Sequence, residues 1–327
     1  MWLPWDRLPE EPHARHARLR DYFCDRDAVA TPEAGGWRLN FRWPDEPERH
    51  IDPLLTDHLK GWAPGLGQMV EAVRRQGRVT TALYDTWTLV SWARWAAASG
   101  TRRDAHLTIL HVDDHRDLMS PRLFVGDGGW RDPIAGGLFD FGEPESVRRA
   151  LGSGAVGMGS FLTPVLHAFP NAEVRHLCQP PKAASTALFE IQPHLQEDDL
   201  IDLDARRPAI RLHPAVGCGA GRYMLTPDIS EWIENLASGP VLLHVDMDYF
   251  NNRFDGDGDW SERAERLDPP AEAVIARIRS VAMALRRGGV VDRIEDAIIA
   301  YSPGFFPSEL WDAADRALRG TLGELYA

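Results

Sequence analysis

The rhythm of apolar and polar positions changes once along this chain. From about Thr80, short apolar runs alternate with helical stretches, the pattern of an α/β domain with a buried, mostly parallel sheet. The runs predict strands over Leu107–Val112, Ala155–Met158, Val241–Val245 and Ala297–Tyr301. Helical spacing predicts helices over Thr88–Ala98, Glu145–Leu151, Ile229–Ala237 and Pro270–Arg287, the last closing on Gly288-Gly289 as a helix C-terminus often does. The preceding part, residues 1–79, lacks clean periodicity. Most of the tryptophans (Trp2, Trp5, Trp37, Trp43, Trp62, Trp87, Trp92 and Trp95) fall in or just after it, mixed with Pro, Arg and Glu. It reads as an irregular extension whose large side chains form a collar on the body of residues 80–327; an aromatic groove for a peptide is the alternative.

Composition narrows the classes. A chain of 327 residues with 44% hydrophobic and 26% charged residues buries a sizeable core, which excludes disordered and fibrous classes. A formal net charge of -13 argues against nucleic acid or an anionic membrane as a partner and suits a cationic substrate. Only Lys60 and Lys182 among the 36 basic residues are lysines, a skew that by itself implies no mechanism. Cys24, Cys178 and Cys218 are odd in number and never spaced C-x-x-C, so neither a disulfide framework nor a cysteine zinc site is expected, and a reducing cytoplasm is the natural compartment. The acidic opening does not read as a signal peptide, and no apolar run approaches the ~18–20 residues needed to span a membrane.

The candidate chemistry lies where two of the apolar runs end. Leu107–Val112 leads into Asp113-Asp114-His115-Arg116-Asp117, and Val241–Leu243 leads into His244-Val245-Asp246-Met247-Asp248. In extended chain, alternate side chains share a face, so Asp113, His115 and Asp117 group together, as do His244, Asp246 and Asp248. Unpaired carboxylates at the end of a buried strand are costly unless a cation compensates. Ligands of open parallel sheets bind outside the carboxyl ends of the strands, where both clusters fall if the two strands are neighbours. Oxygen-rich donors with an imidazole suit Mn²⁺ or Mg²⁺, with a three-ligand zinc or iron site as the alternative. Two ions sharing carboxylates would acidify a bridging water, which implies hydrolysis.

These segments also carry a resemblance. HVDDHRD resembles the D-x-H-x-D signature of the arginase and agmatinase (ureohydrolase) superfamily, and HVDMDYF resembles its D-x-D signature. Together LTILHVDDHRDL, GMGSFLTP, LLHVDMDYFNNRF and AIIAYSPGFFP resemble an arginase-like family that includes peptide arginases, enzymes of ribosomal peptide biosynthesis that convert arginine side chains to ornithine with loss of urea. The resemblance covers roughly Tyr84 to the C-terminus and implies a three-layer α/β/α fold of the arginase/deacetylase kind, making residues 80–327 a metallohydrolase domain. It further implies two manganese ions, with Asp113 and Asp246 bridging, His115 and Asp248 serving one ion and Asp117 the other, and a bridging hydroxide that attacks the guanidinium carbon of an arginine-containing peptide.

Some positions depart from the family pattern. The superfamily takes a further histidine ligand from an upstream segment, which here reads Tyr84-Asp85-Thr86-Trp87 and has none; Asp85, His111 and His244 are the candidates to replace it. The guanidinium-binding glutamate aligns with Ala300 or Ser302, leaving Glu309 as the nearest acid, which as a first-turn residue equally suits the helix dipole. His167, after GMGSFLTPVL, is the candidate proton shuttle, although a helix histidine is more often structural. Asp255-Gly256-Asp257-Gly258-Asp259 starts like a calcium loop, but Trp260 replaces its glycine and Arg266 its final glutamate, so a solvated acidic turn is expected. The missing histidine keeps open a single-metal amidohydrolase or deacetylase held by Asp113, His115 and Asp246. A non-catalytic peptide-binding protein is the third reading.

Overall fold

The structure is a computed structural model that describes residues 1–23, 25–256, 261 and 268–327. Cys24, Arg266 and most of the predicted acidic turn, residues 257–260, lie outside the described residues.

The first forty residues have regular structure despite their weak periodicity. Strands β1 (Trp2–Pro4), β2 (Asp27–Glu33) and β3 (Gly36–Arg42) form an antiparallel sheet in the order β1-β3-β2, joined by helix α1 (Pro12–Phe23). Leu3, Leu8, Leu19, Tyr22, Phe23, Trp37 and Leu39 build a small core of their own, closed by Leu200 from far along the chain. Gly36 is required where β1 and β3 meet: a Cβ there would lie 2.1 Å from the Leu3 carbonyl oxygen. Trp37, Trp87, Trp92 and Trp95 are buried and Trp43 and Trp62 half-buried, whereas Trp2 and Trp5 each keep 46% of their surface exposed.

After the one-turn helix α2 (Leu55–His58) the chain enters the main body. In order it forms β4 (Val73–Gln76), β5 (Val79–Ala82), α3 (Trp87–Ser99), β6 (Thr108–Val112), β7 (Phe124–Gly126), β8 (Gly129–Arg131) and β9 (Leu138–Phe139). There follow α4 (Pro144–Ser153), α5 (Leu162–Ala168), β10 (Glu173–Leu177), β11 (Ala187–Glu197), β12 (Arg206–Pro214) and β13 (Arg222–Thr226). The last elements are α6 (Ile229–Ile233), β14 (Val241–Asp246), α7 (Ala271–Arg287), β15 (Ile294–Ala300) and α8 (Trp311–Thr321). Among the described residues the sheet has twelve strands in the order β4-β5-β15-β14-β6-β10-β13-β11-β12-β7-β8-β9. Pairing is parallel from β5 through β13 and antiparallel outside that block. The molecule is therefore mixed α/β with a parallel core.

Composition explains the centre. β6 (TILHV) and β14 (VLLHVD) are buried at every position, as expected of parallel strands covered on both faces. Helix α3 packs on β15 with α4 and α5 against it, while α6 packs on β10 and α7, and α7 packs on α8. α7 turns Val274, Ile278, Val281, Ala282 and Leu285 inward at helical spacing. α6 starts at Asp228, whose carboxylate accepts from the Ser230 and Glu231 amides, and ends at Ile233, short of the predicted Ala237.

One predicted strand is absent. Ala155–Met158 is an irregular segment after the left-handed C-cap Gly154, where φ is +79°, and before Gly159 at φ +72°. Its apolar side chains mark burial and not sheet pairing.

Candidate metal centre

Parallel pairing sets the C-terminal ends of the core strands at one edge. His111 of β6 pairs with His176 of β10 on one side and with His244 of β14 on the other, so three histidines form a row across neighbouring strands. All three are fully buried. The acids come next along each strand: Asp113 just after β6, Asp246 at the end of β14 with Asp248 in the following turn, and Asp85 three residues beyond β5. Ser302, beyond β15, donates to Asp246 Oδ2.

Asp113 is at the centre. Its Oδ1 accepts from the His115 amide at 2.6 Å, and its Oδ2, buried without a hydrogen-bond partner, lies 3.6 Å from His244 Nδ1 and 3.8 Å from His111 Nε2. Asp117 Oδ2 is likewise buried without a partner, 3.9 Å from His111 Nε2. Asp117 has φ +53°, a left-handed conformation that a short polar side chain tolerates best. Asp248 accepts from the Asp114 amide on one oxygen and meets His115 Nδ1 at 2.7 Å on the other. Asp85 accepts from the Gly159 amide through Oδ2 and leaves Oδ1 buried and unpaired.

Three sets of ligand atoms draw together within 4.8 Å among the described residues; one, Asp114 with His115 and Asp255, already holds the Lys182 ammonium, and the other two are His111 with Asp113, Asp117 and His244, and Asp113 with His115 and Asp248. Asp113 belongs to both. Asp246, an expected bridging ligand, is in neither set; Ser302 and the Asp248 amide donate to its oxygens, and it lines the acidic cavity. That cavity, about 540 Å³, is walled by Asp25, Asp85, His115, Arg116, Asp117, Asp246 and Asp248 on its polar side and by Leu118, Met119, Met158 and Phe305 on its apolar side.

The electrostatics of the cluster follow from its burial. Burial, reinforced by neighbouring carboxylates, raises the pKa of Asp85, Asp113 and Asp246 well above the usual carboxylate range. Burial pushes Asp117 up to about 6. Burial also lowers His111 to about 3 and drops His176 and His244 well below the usual imidazole value, so the row is neutral. His115 alone goes the other way: burial opposes its charge, but Asp248 and Asp255 together push it up to about 11. Neutral imidazoles facing unpaired carboxylate oxygens form a donor set that fits a divalent metal ion. The buried His/Asp cluster could hold one.

Two expected catalytic residues are placed elsewhere. His167, on α5, hydrogen-bonds the Ala209 carbonyl through Nε2 at 3.0 Å, packs edge-on against Trp130 and lines a different cavity of about 440 Å³ with Phe139 and Phe141. Glu309 sits in the turn before α8 and pairs with Arg253, outside the lining of the acidic cavity. Sequence reasoning missed His176, Tyr223 and Asp25, and named Ser302 only as a position aligned with the family's glutamate, not as a partner of Asp246. Tyr223 meets His176 Nδ1 at 2.7 Å while His176 Nε2 meets the Asp113 carbonyl at 2.9 Å, supporting the turn that carries Asp113. The signal for His176 was its place in an apolar run, AEVRHLC, masked by the intervening charges.

Comparison with protein-family models and with curated proteins finds no match for this chain. Among the described residues no helix is long and apolar enough to cross a membrane.

Proposed function

We propose that this protein is a metal-dependent hydrolase of the arginase/deacetylase-like three-layer kind, converting arginine side chains of a peptide to ornithine with release of urea and using manganese. The observation that carries this reading is the shared carboxylate: Asp113 belongs to both ligand groups, as a bridge between two ions would. His111, Asp117 and His244 would complete one ion's set and His115 and Asp248 the other's. Bound there, the ions supply a water acidified toward neutral pH.

The rest falls to the chain's own side chains. Asp25 and Asp85 face the cavity as pairing partners for a guanidinium, whose planar donors match carboxylates in pairs. Leu118, Met119, Met158 and Phe305 offer an apolar wall to the three methylenes of an arginine stem. Asp85 is held in place by the Gly159 amide. Incubating the purified protein and Mn²⁺ with a panel of arginine-containing peptides should give the mass loss from arginine to ornithine, with free urea. No change on any peptide while metal is bound sinks the reading.

One observation favours a second reading. His111, Asp113, Asp117 and His244 are by themselves a two-nitrogen, two-oxygen set sufficient for a single tetrahedral ion. A single-metal amidohydrolase or deacetylase would then bind one zinc per chain, whereas the arginase-like reading requires two ions. Elemental analysis of the loaded protein separates them.

A further inference from the structure

Lys182 is one of only two lysines among 36 basic residues, and it stands beside the candidate metal ligands. Its Nζ lies 2.7 Å from Asp114 Oδ2, 3.3 Å from Asp255 Oδ1 and 3.2 Å from His115 Nε2. Asn252 reinforces the same pair of acids, its amide donating to Asp114 Oδ2 at 2.8 Å and to Asp255 Oδ1 at 2.9 Å, while its own Oδ1 accepts from the Asp255 amide. Asp255 Oδ1 in turn meets His115 Nε2 at 3.1 Å. These groups border a second, smaller cavity of about 200 Å³, on whose wall Asp248 also appears.

We propose that Asp255, fixed by Lys182 and Asn252, is a positioning residue for the metal centre. A carboxylate can only accept, so His115 donates through Nε2 to Asp255 and through Nδ1 to Asp248, at 3.1 and 2.7 Å; a metal ion at Nδ1 would displace only the inner proton, with Asp255 still holding the outer one. The outer partner of a ligating imidazole sets its tautomer and ring orientation and raises its basicity. The lysine suits the task where an arginine would not. A compact ammonium can fit between Asp114 and Asp255 and satisfy both, whereas a planar guanidinium would bind one carboxylate side-on and displace the other. The Asp114 amide also donates to Asp248 Oδ1, so the same network braces a second ligand from behind.

The inference rests on the metal-centre reading above but not on the identity of the substrate, so its test is metal binding. Mn²⁺ alone is titrated calorimetrically into metal-free wild type, Asp255→Ala, Asp255→Asn and Lys182→Met, with melting of each metal-free protein as the folding control. Asp255→Ala and Lys182→Met should bind Mn²⁺ about tenfold to hundredfold more weakly, as removal of such a partner typically does. Asp255→Asn, which keeps an oxygen acceptor for Nε2, should recover most of the loss. Wild-type affinity in Asp255→Ala, or equal losses in Asp255→Ala and Asp255→Asn, overturns the positioning role alone. A wild type that takes up no metal overturns the metal centre and this inference together.

Discussion

Asp117 shows the conflict that the site builds into a single residue. Its carboxyl is buried beside other acids in a left-handed backbone conformation, and burial raises its pKa from 3.8 to about 6. A carboxyl whose folded value lies above its unfolded one destabilises the native state once it is charged, and the penalty disappears as pH falls below the unfolded value. Asp117→Asn removes the charge and keeps a side chain that tolerates positive φ. The chelator-treated variant should therefore be more stable than wild type by on the order of 1–3 kcal/mol at pH 7.5, with little difference near pH 4. Its Mn²⁺ affinity should fall at least about tenfold. Denaturant melts at the two pH values check the sign, and an equal gain at both would refute it. Thiols give a simpler check: burial pushes Cys178 up to about 12, while Cys218 is exposed. Mass mapping after brief alkylation of the folded protein at pH 7.5 should find Cys218 modified and Cys178 intact. At this scale the grouping of Asp113, His115, Asp117 and Asp248 was legible, because alternation after an apolar run needs no tertiary knowledge, whereas Asp246, expected as a bridge, lines the cavity without joining a ligand set. Asp25 and Ser302 were not, since only folding brings them to the cavity.

At the scale of elements, legibility followed burial on both faces. β6, β14 and β15 stood out as unbroken apolar runs, and α7 by its inward stripe and closing glycines. β10 escaped because Glu173 and Arg175 pair with each other inside the structure and so read as exposed in the sequence. Ala155–Met158 misled for the opposite reason, being apolar and buried without a strand partner. The opening sheet was missed because β1 has only three residues and β2 and β3, though seven residues each, are exposed at about half their positions or more and so form no unbroken apolar run. It depends on a close approach that gives a direct test. Gly36→Ala would press a methyl into the Leu3 carbonyl oxygen and onto the Trp2 ring, and should cost about 1–3 kcal/mol, as overpacking typically does. A melting curve unchanged from wild type would show that β1 is not held against β3 as described.

For the whole molecule, the acids that make a metal welcome also make it pH-dependent. Of the acids in the ligand sets, Asp113 and Asp117 hold protons more tightly than free carboxylates, so a metal ion would have to displace protons to bind. Added Mn²⁺ should raise the melting temperature strongly at pH 7.5 and progressively less as pH falls through about 6, the value reached by Asp117. A metal-induced rise that is the same at pH 5 would contradict the buried carboxylates as ligands.

The order of strands has a consequence for how the protein is made. β15, near the end of the chain, is inserted between β5 and β14, where its residues 297–300 pair with residues 79–82 of β5 on one side and with β14 on the other. Until β15 is in place, the parallel core therefore lacks a stave between β5 and β14. Ser302, which ties down Asp246, follows that stave. The Asp246 carboxylate is therefore held by Ser302 only once β15 has docked beside β14.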